Sequence, residues 1–469
     1  MDSNFELYLE TIYGGFHPIV SEFLLKSFIC FANSMKTSPS LLNVWFNRIE
    51  RHVLVTHGSD HPWYAMLCAT YMSAQIAVNT SKGLSAGDVI IQTKPMVHII
   101  CNEFKGLFCD NCLKREDQLK RCQKCHQMYY CGKECQTNDW KYHKNECKAF
   151  RHNDFHRDLF SSEEILLLRL YVSLKSDESF ATKRYSLMDG SDVCLKEIIV
   201  QKDVLNNMYS DCERMLEFNR VCMYFNAFGI KLGDTQQRQE LLNWFAFLSS
   251  SPSHVGLKWY SRDMKDYQYF SDKVCRAVSL EMSSLNHSCL PNSAIVTNGL
   301  SVQLRALKEI PIGEEITVSF IRLDQSKSDR REALKNDFYV FDCKCLKCEL
   351  NLDSGVDYKA FDELIAEEIF SFIDKRRIDP NSWSEYDSLS SKLIPYYEAI
   401  YGDYHPFLTA TLMQQSMTSR MSAMIASEPA FKWKPMLLDY YKTVDQHLRI
   451  THGVDHPLFD IFYKVFVKI

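Results

Sequence analysis

The sequence predicts an α+β protein of several domains, with short strands and metal-bound segments in its middle and helices at both ends. Three observations predict it. Cysteines and a histidine gather at metal-ligand spacing between Cys109 and Cys147. A second run, CKCLKC, follows the alternating stretch GEEITVSF. The two ends of the chain carry the same pair of helix-boundary motifs. At 469 residues the chain exceeds what one hydrophobic core organises. Its 46% hydrophobic and 24% charged content is that of an ordinary soluble globular protein. No apolar run reaches the roughly eighteen residues of a membrane span. The start, MDSNFELYLE, is acidic and amphipathic, so no signal peptide is expected. Eighteen cysteines without such a signal point to a reducing compartment, where clustered thiols bind metal rather than form bridges. A net charge of −5 argues against nucleic-acid binding and leaves room for a basic partner such as a lysine-rich tail.

Taking the elements in order, the N-terminal motif YLETIYGGFHP (Tyr8 to Pro18) returns as YYEAIYGDYHP (Tyr396 to Pro406). THGSDHP (Thr56 to Pro62) returns as THGVDHP (Thr451 to Pro457). Two motifs in the same order indicate a duplicated segment. Each reads as a helix stop followed by a helix start. Gly14, Gly58, Gly402 and Gly453 suit a left-handed C-cap, and Pro18, Pro62, Pro406 and Pro457 suit the first helical position. Capping or turn packing is the better reading of the intervening histidines than metal binding.

The dense cluster runs CDNC, CQKC, CGKEC and HKNEC, giving Cys109, Cys112, Cys122, Cys125, Cys131, Cys135, His143 and Cys147. Pairs two or three residues apart turn both side chains toward one tetrahedral zinc, with Zn–S about 2.3 Å. Eight ligands close two sites and leave no position for water, so both are structural. His126 is off the spacing and is expected to be a surface side chain. The order resembles the MYND zinc finger, in which the ligands interleave. That resemblance implies one zinc on Cys109, Cys112, Cys131 and Cys135, and another on Cys122, Cys125, His143 and Cys147. Lys114, Arg115, Lys120, Arg121 and Lys124 make a basic patch that a solvated face explains as well as DNA does.

CKCLKC supplies only three thiolates, Cys343, Cys345 and Cys348, and the chain nearby offers no fourth. Cys289 in NHSCLPN (Asn286 to Asn292) could complete the set from far along the sequence, which would give twelve ligands for three zincs. A nucleophilic Cys289 beside its histidine is the other reading.

NHSC, followed by GEEITVSF (Gly313 to Phe320) and the cysteine tail, resembles the SET domain of lysine methyltransferases. With a MYND finger upstream, the chain is similar to the SET and MYND domain-containing family. That resemblance implies the following organisation: a helical repeat at 1–72, the N-terminal SET part at 73–106, the MYND finger at 107–149 and a helical SET insert at 150–215. The SET core then runs over 216–322, a cysteine-rich post-SET zinc site over 323–355, and a helical, TPR-like C-terminal domain over 356–469. It implies S-adenosylmethionine bound by Asn286, His287, Asn226, Phe341, Ser283 and Lys82, with NHSC and the GEE strand meeting at the pocket. The strand expectation agrees with the alternation of Ile316, Val318 and Phe320 with Thr317 and Ser319. A turn cap for Asn226 and a core role for Phe341 are the plainer alternatives.

Three departures from the family stand out. The strand ends in Phe320 where the family has a tyrosine, so the aromatic wall survives and the hydroxyl is lost. Losing one placed hydrogen-bonding group at a reacting centre costs roughly 10²–10³ in rate. Tyr339 aligns with the second pocket tyrosine and is kept, making Tyr339 and Phe320 the expected lysine channel. Ser81 stands where the family has a glycine whose bare backbone nears the cofactor. The connection from FNAF to NHSC is much longer than the family's. The activity implied is transfer of a methyl group to a histone or non-histone lysine, weakened by Phe320, in nucleus and cytoplasm. The rival is a lapsed, zinc-stabilised scaffold that docks peptides, proline-rich ones among them, on its MYND and helical surfaces.

Overall fold

A computed structural model of the chain describes residues 16–32, 39–58, 61–64, 66–67, 83–151, 157–188, 191–230, 232, 235–258, 273–338, 343–365, 380–425 and 430–466. It divides into two compact units, one of residues 1–85, 186–192 and 309–316, the other of the remainder.

In the first unit, α1 (Pro18–Ala32) and α2 (Pro39–His57) form an antiparallel pair. Val20, Leu24, Leu25 and Phe28 recur at helical spacing and bury against Ile49 and Val53. Both helices open on proline, and Gly58 ends α2 with φ +84°.

The second unit begins with β1 (Val89–Thr93) and β2 (Val97–Ile100). The hairpin β3 (Lys120–Arg121) and β4 (Tyr129–Tyr130) leads into α3 (Lys133–Ala149). Next come α4 (Ser162–Ser176), with a complete Ser161/Glu164 capping box, α5 (Cys212–Ala227) and α6 (Thr235–Ser250). The strands β5 (His254–Lys258), β6 (Lys273–Val278), β7 (Asn286–His287), β8 (Ser293–Asn298), β9 (Ser301–Ala306) and β10 (Thr317–Val318) then precede α7 (Lys327–Phe338). Three small sheets result: β1-β9-β8, β2-β6-β5, and the parallel pair β10-β7. The alternating stretch 313–320 yields only the two-residue strand β10, although Ile316 and Val318 are buried as the alternation requires. Its partner β7 is equally short because the chain turns away at Pro291, and the Asn292 side chain takes over the pairing by accepting from Thr317 N–H at 2.8 Å.

The unit ends in α8 (Pro380–Tyr401), α9 (Pro406–Ile425), α10 (Ala430–Thr451) and α11 (Pro457–Phe466). Leu393, Tyr397 and Ile400 of α8 share one core with Cys289, Cys343 and Cys348. Lys347, from CKCLKC, is buried and donates to the Ile400 carbonyl at 2.7 Å, closing the open end of α8. Arg305 of β9 does the same for α10, donating to the carbonyls of Ile450 at 3.2 Å and Arg449 at 3.1 Å.

The repeated motifs have the same local geometry in both units. Ser21 and Thr56 hydroxyls pair at 2.8 Å, and their counterparts Thr409 and Thr451 pair at 3.0 Å. Thr56 and Thr451 each donate to the histidine carbonyl four residues earlier. Three motif histidines, His61, His405 and His456, accept a backbone N–H two residues on through Nδ1. They are turn caps. Gly14 and the start of the first motif lie outside the described residues.

Candidate functional site

Two tight turns launch the finger. Leu113 N–H donates to the Cys109 carbonyl and His126 N–H to the Cys122 carbonyl, with Leu113 and His126 at φ +57° and +59°. His126 is thus an exposed turn residue and not a ligand. Helix α3 serves both clusters: Cys135 sits in its first turn, while His143 and Cys147, four apart, share one face. The donor atoms of Cys109, Cys112, Cys131 and Cys135 lie within 4.8 Å of one another, as do those of Cys122, Cys125, His143 and Cys147.

The third group is Cys289 with Cys343, Cys345 and Cys348, again within 4.8 Å. The sulfur at position 289 crosses more than fifty residues of sequence to reach its three partners, with Cys289 N–H donating to Cys345 Sγ at 3.3 Å. A tetrahedron with Zn–S of about 2.3 Å and Zn–N of about 2.0–2.1 Å has edges of about 3.8 Å between sulfurs and about 3.6 Å from sulfur to nitrogen. The separations are Cys112–Cys131 3.5 Å, Cys122–Cys147 3.9 Å, Cys289–Cys348 3.7 Å and Cys125 Sγ to His143 Nε2 3.4 Å. All three groups could hold zinc. Hydrogen bonding to Cys343 and Cys345, then burial, drives the Cys289 thiol far up, while hydrogen bonding to Cys289 and Cys343 drives Cys345 far down. Four thiolates so close need a dication to be ionised together.

The finger is fixed from behind. His143 turns Nδ1 toward Glu146 at 3.4 Å. Arg169 of α4 grips Glu146 with two bonds of 2.7 and 2.8 Å, reaches Asp139 at 3.2 Å, and donates to the His98 carbonyl of β2 at 2.8 Å. All of these side chains are buried. Burial pushes Glu146 up, but Arg169 overrides it and holds the carboxyl down at about 2. This is the kind of outer layer that orients a histidine able to hold a metal. Only the short-range half was visible in sequence, as His143 and Glu146 three apart on a helix. No pattern announced Arg169.

NHSCLPN folds onto β10. Ser288 N–H donates to the Val318 carbonyl at 2.9 Å, and β7 pairs with β10 through Asn286–Thr317 and His287–Val318. The His287 ring accepts from Phe320 N–H through Nδ1 at 3.1 Å and places Nε2 3.3 Å from Cys289 Sγ. Burial keeps the ring neutral, with its pKa at about 4. Since Nδ1 accepts, Nε2 carries the proton and donates to the sulfur. His287 thereby ties the strand end to the thiol cluster.

Asn286 is exposed at the strand edge, and Ser283 is half-buried behind the turn Leu280–Met282. Asn226 is exposed at the end of α5, its side-chain oxygen accepting from Leu232 N–H at 3.4 Å, which caps the turn there. Lys82, Tyr339 and Phe341 lie outside the described residues. Phe320 packs between His287 and Phe338, tilted against both, with ring centroids at 5.4 and 5.2 Å. It also faces a cavity of about 240 Å³, lined by Val318, Phe338, Lys258, Lys273 and His452 among others.

Residues 109–147 match the MYND finger family. The histone-lysine N-methyltransferase SMYD3 of Homo sapiens is 26% identical over 301 residues, covering 61% of this chain and 61% of that protein. The histone-lysine N-methyltransferase ASHR1 of Arabidopsis thaliana is 27% identical over 279 residues, covering 57% and 52%. The N-lysine methyltransferase SMYD2 of Gallus gallus is 28% identical over 277 residues, covering 57% and 56%. These matches bear out the resemblance to the SET and MYND domain-containing family. The chain thus matches about three fifths of the length of its SET and MYND relatives. The chain carries a MYND finger, a further four-cysteine cluster and a helical C-terminal region. Among the described residues no helix is long and apolar enough to cross a membrane.

Proposed function

We propose that this SET and MYND protein is an S-adenosylmethionine-dependent protein-lysine N-methyltransferase whose transfer step is slowed by Phe320. The observation that supports this most is the seating of NHSC on the end of β10, beside a four-thiol group that joins it to the post-SET segment. That arrangement makes one edge from Asn286, His287 and Phe320. S-adenosylmethionine, when bound, supplies a methyl group on a sulfonium centre. Asn286, exposed on that edge, is positioned to bind it, and Asn226, Ser283, Lys82 and Phe341 are the further cofactor residues we assign. His287 acts through its backbone and as a brace, since both ring nitrogens already face partners within the chain.

Phe320 and Tyr339 are assigned to the lysine channel. An apolar wall excludes water and favours the uncharged amine, which is the nucleophilic form. Phe320 has no hydroxyl with which to orient that amine. Three zincs, on the three ligand groups, are structural. The substrate is a histone or non-histone lysine, as with the relatives named for such activities, reached in nucleus and cytoplasm.

A second reading draws on the missing hydroxyl itself: a lapsed pocket on a scaffold whose finger and helices dock peptides. Isothermal titration with S-adenosylmethionine separates the two. Binding in the micromolar range, followed by methyl transfer to a lysine peptide, is expected for the enzyme. Absence of any heat beyond dilution would support the scaffold.

A further inference from the structure

The three ligand groups differ in how their charge is met. Four thiolates around one zinc leave a formal double negative charge, whereas three thiolates and an imidazole leave a single one. In the finger, three members of the group Cys109, Cys112, Cys131 and Cys135 are only half-buried, so water can solvate its charge. The finger's other group is fully buried but includes His143. Cys289, Cys343, Cys345 and Cys348 combine the larger charge with burial of all but Cys345. A buried charge without compensation is costly, so this group needs a cation that the finger groups can do without.

Helix α7 brings one. Arg330 is wholly buried, and its Nη1 donates to the Gln325 carbonyl and to Asp353 at 2.6 Å each and to the Tyr358 hydroxyl at 3.2 Å. Its Nε and Nη2 are buried too, and among the described residues they meet no hydrogen-bond partner. Those atoms carry three N–H donors. Their surroundings are the thiol group. Leu334, one turn further along α7, shares a core with Cys289, Cys343 and Cys348. Asp353, held by Arg330, lies 3.8 Å from the Nζ of Lys347, which stands between Cys345 and Cys348 in the chain. Burial works against the Arg330 charge, yet Asp353 and then Cys289 raise its pKa above the ordinary value. Burial and, against the pull of Cys345, Arg330 keep the His287 ring neutral, and that ring sets Nε2 3.3 Å from Cys289 Sγ. Lys347 is the other buried cation here, but its Nζ is turned to the Ile400 carbonyl. Asp353 offsets one of the two charges.

We propose that Arg330 is the positioning residue and counter-cation of the third zinc site, its Nε and Nη2 donors turned to the Cys289 thiolate. This rests on reading the four-thiol group as a zinc site. A charged donor stabilises an ionised acceptor more than a neutral one does, and partners behind the ligands of a metal tune how tightly it is held. Arg330 thereby ties α7, whose last residue Phe338 packs on Phe320, to the sulfur that joins NHSC to the post-SET segment.

The test measures zinc by chelator competition at fixed pH on the full chain, the third site being the one that Cys289→Ser removes. Two variants should move it in opposite directions. Arg330→Met paired with Asp353→Asn removes the cation without stranding its carboxylate, and should weaken the third site about 10–100-fold while the two finger sites keep the parent's affinity. Asp353→Asn alone keeps the hydrogen bonds and leaves the Arg330 charge unopposed, so the third site should hold zinc more tightly than in the parent. With cobalt as the probe metal, the thiolate-to-metal band lost in Cys289→Ser should move to lower energy in the paired variant. A purely structural role for the Arg330–Asp353 pair predicts weakening in both variants and no move of that band. Either result, a parent-like third site in the paired variant, or a loss shared by all three sites would overturn the role of Arg330 and leave the zinc reading standing. A parent with only two zincs would sink that reading and the proposal with it.

Discussion

Removing the Arg169 side chain tests whether the MYND finger is held to the SET sheet by charge as well as by zinc. Its guanidinium is buried and makes four bonds, two to Glu146 and one each to Asp139 and the His98 carbonyl. Arg169→Ala leaves two carboxylates in the interior without their cation. Breaking a buried pair by deleting one partner costs about 3–5 kcal/mol, because the survivor stays desolvated. Asp139 is already pushed up by burial despite Arg169, so it would take up a proton on losing that neighbour. Glu146 would also lose the geometry that presents it to His143, and loss of such an outer partner lowers metal affinity about 10–100-fold. Chelator competition on the full chain, followed by metal release, reads the second effect, and urea denaturation reads the first. Zinc retention equal to the parent with a stability loss under about 1 kcal/mol would mean that Arg169 does not hold the finger. Glu146→Gln, which keeps the shape and removes the charge, should fall between the two.

Other outcomes follow from the same geometry. Phe320→Tyr should raise methyl transfer by up to about 10²–10³ if the hydroxyl is what the pocket lacks, measured with tritiated donor; no gain from a measurable baseline would count against that role. Gly453→Ala must hold φ +86° and brings Cβ to 2.9 Å from Arg305 Nη1, whereas Gly58→Ala at φ +84° meets open space. Gly453→Ala should therefore cost about 2 kcal/mol and Gly58→Ala about 1 kcal/mol, seen as unequal losses in thermal denaturation. Acidification should destabilise the second unit through His452 and His456, whose burial holds the first well below 6.5 and the second at about 3. Because the unfolded chain binds those protons first, their contribution is present above pH 6.5 and is lost as pH falls toward 3. The slope is about 2.7 kcal/mol per pH unit at most for two groups. His456→Gln should flatten it.

Much of this was legible because some chemistry is written locally. Cysteines two or three apart can reach one ion, so the finger's ligands were readable from spacing, and the count of three thiols near 345 demanded a fourth elsewhere. The repeated Gly and His-Pro motifs named their own caps, since a left-handed glycine and an N1 proline each have a backbone reason. What escaped depends on distance or register. Arg169 is one arginine among many until α4 is laid on the finger. The strand at 313–320 alternates over eight residues but pairs over two, because pairing length is set by the partner, and NHSC turns away at once. Asn226 was legible only by resemblance, and the turn that its side-chain oxygen caps was not announced by any motif.

Metal counting with cofactor titration on the parent and on Cys289→Ser tests the account most directly. The parent should carry three zincs and bind S-adenosylmethionine. The serine variant should keep the two finger metals, lose the third, and lose the cofactor with it. Three zincs and undiminished cofactor binding in that variant would show that position 289 does not clasp the pocket.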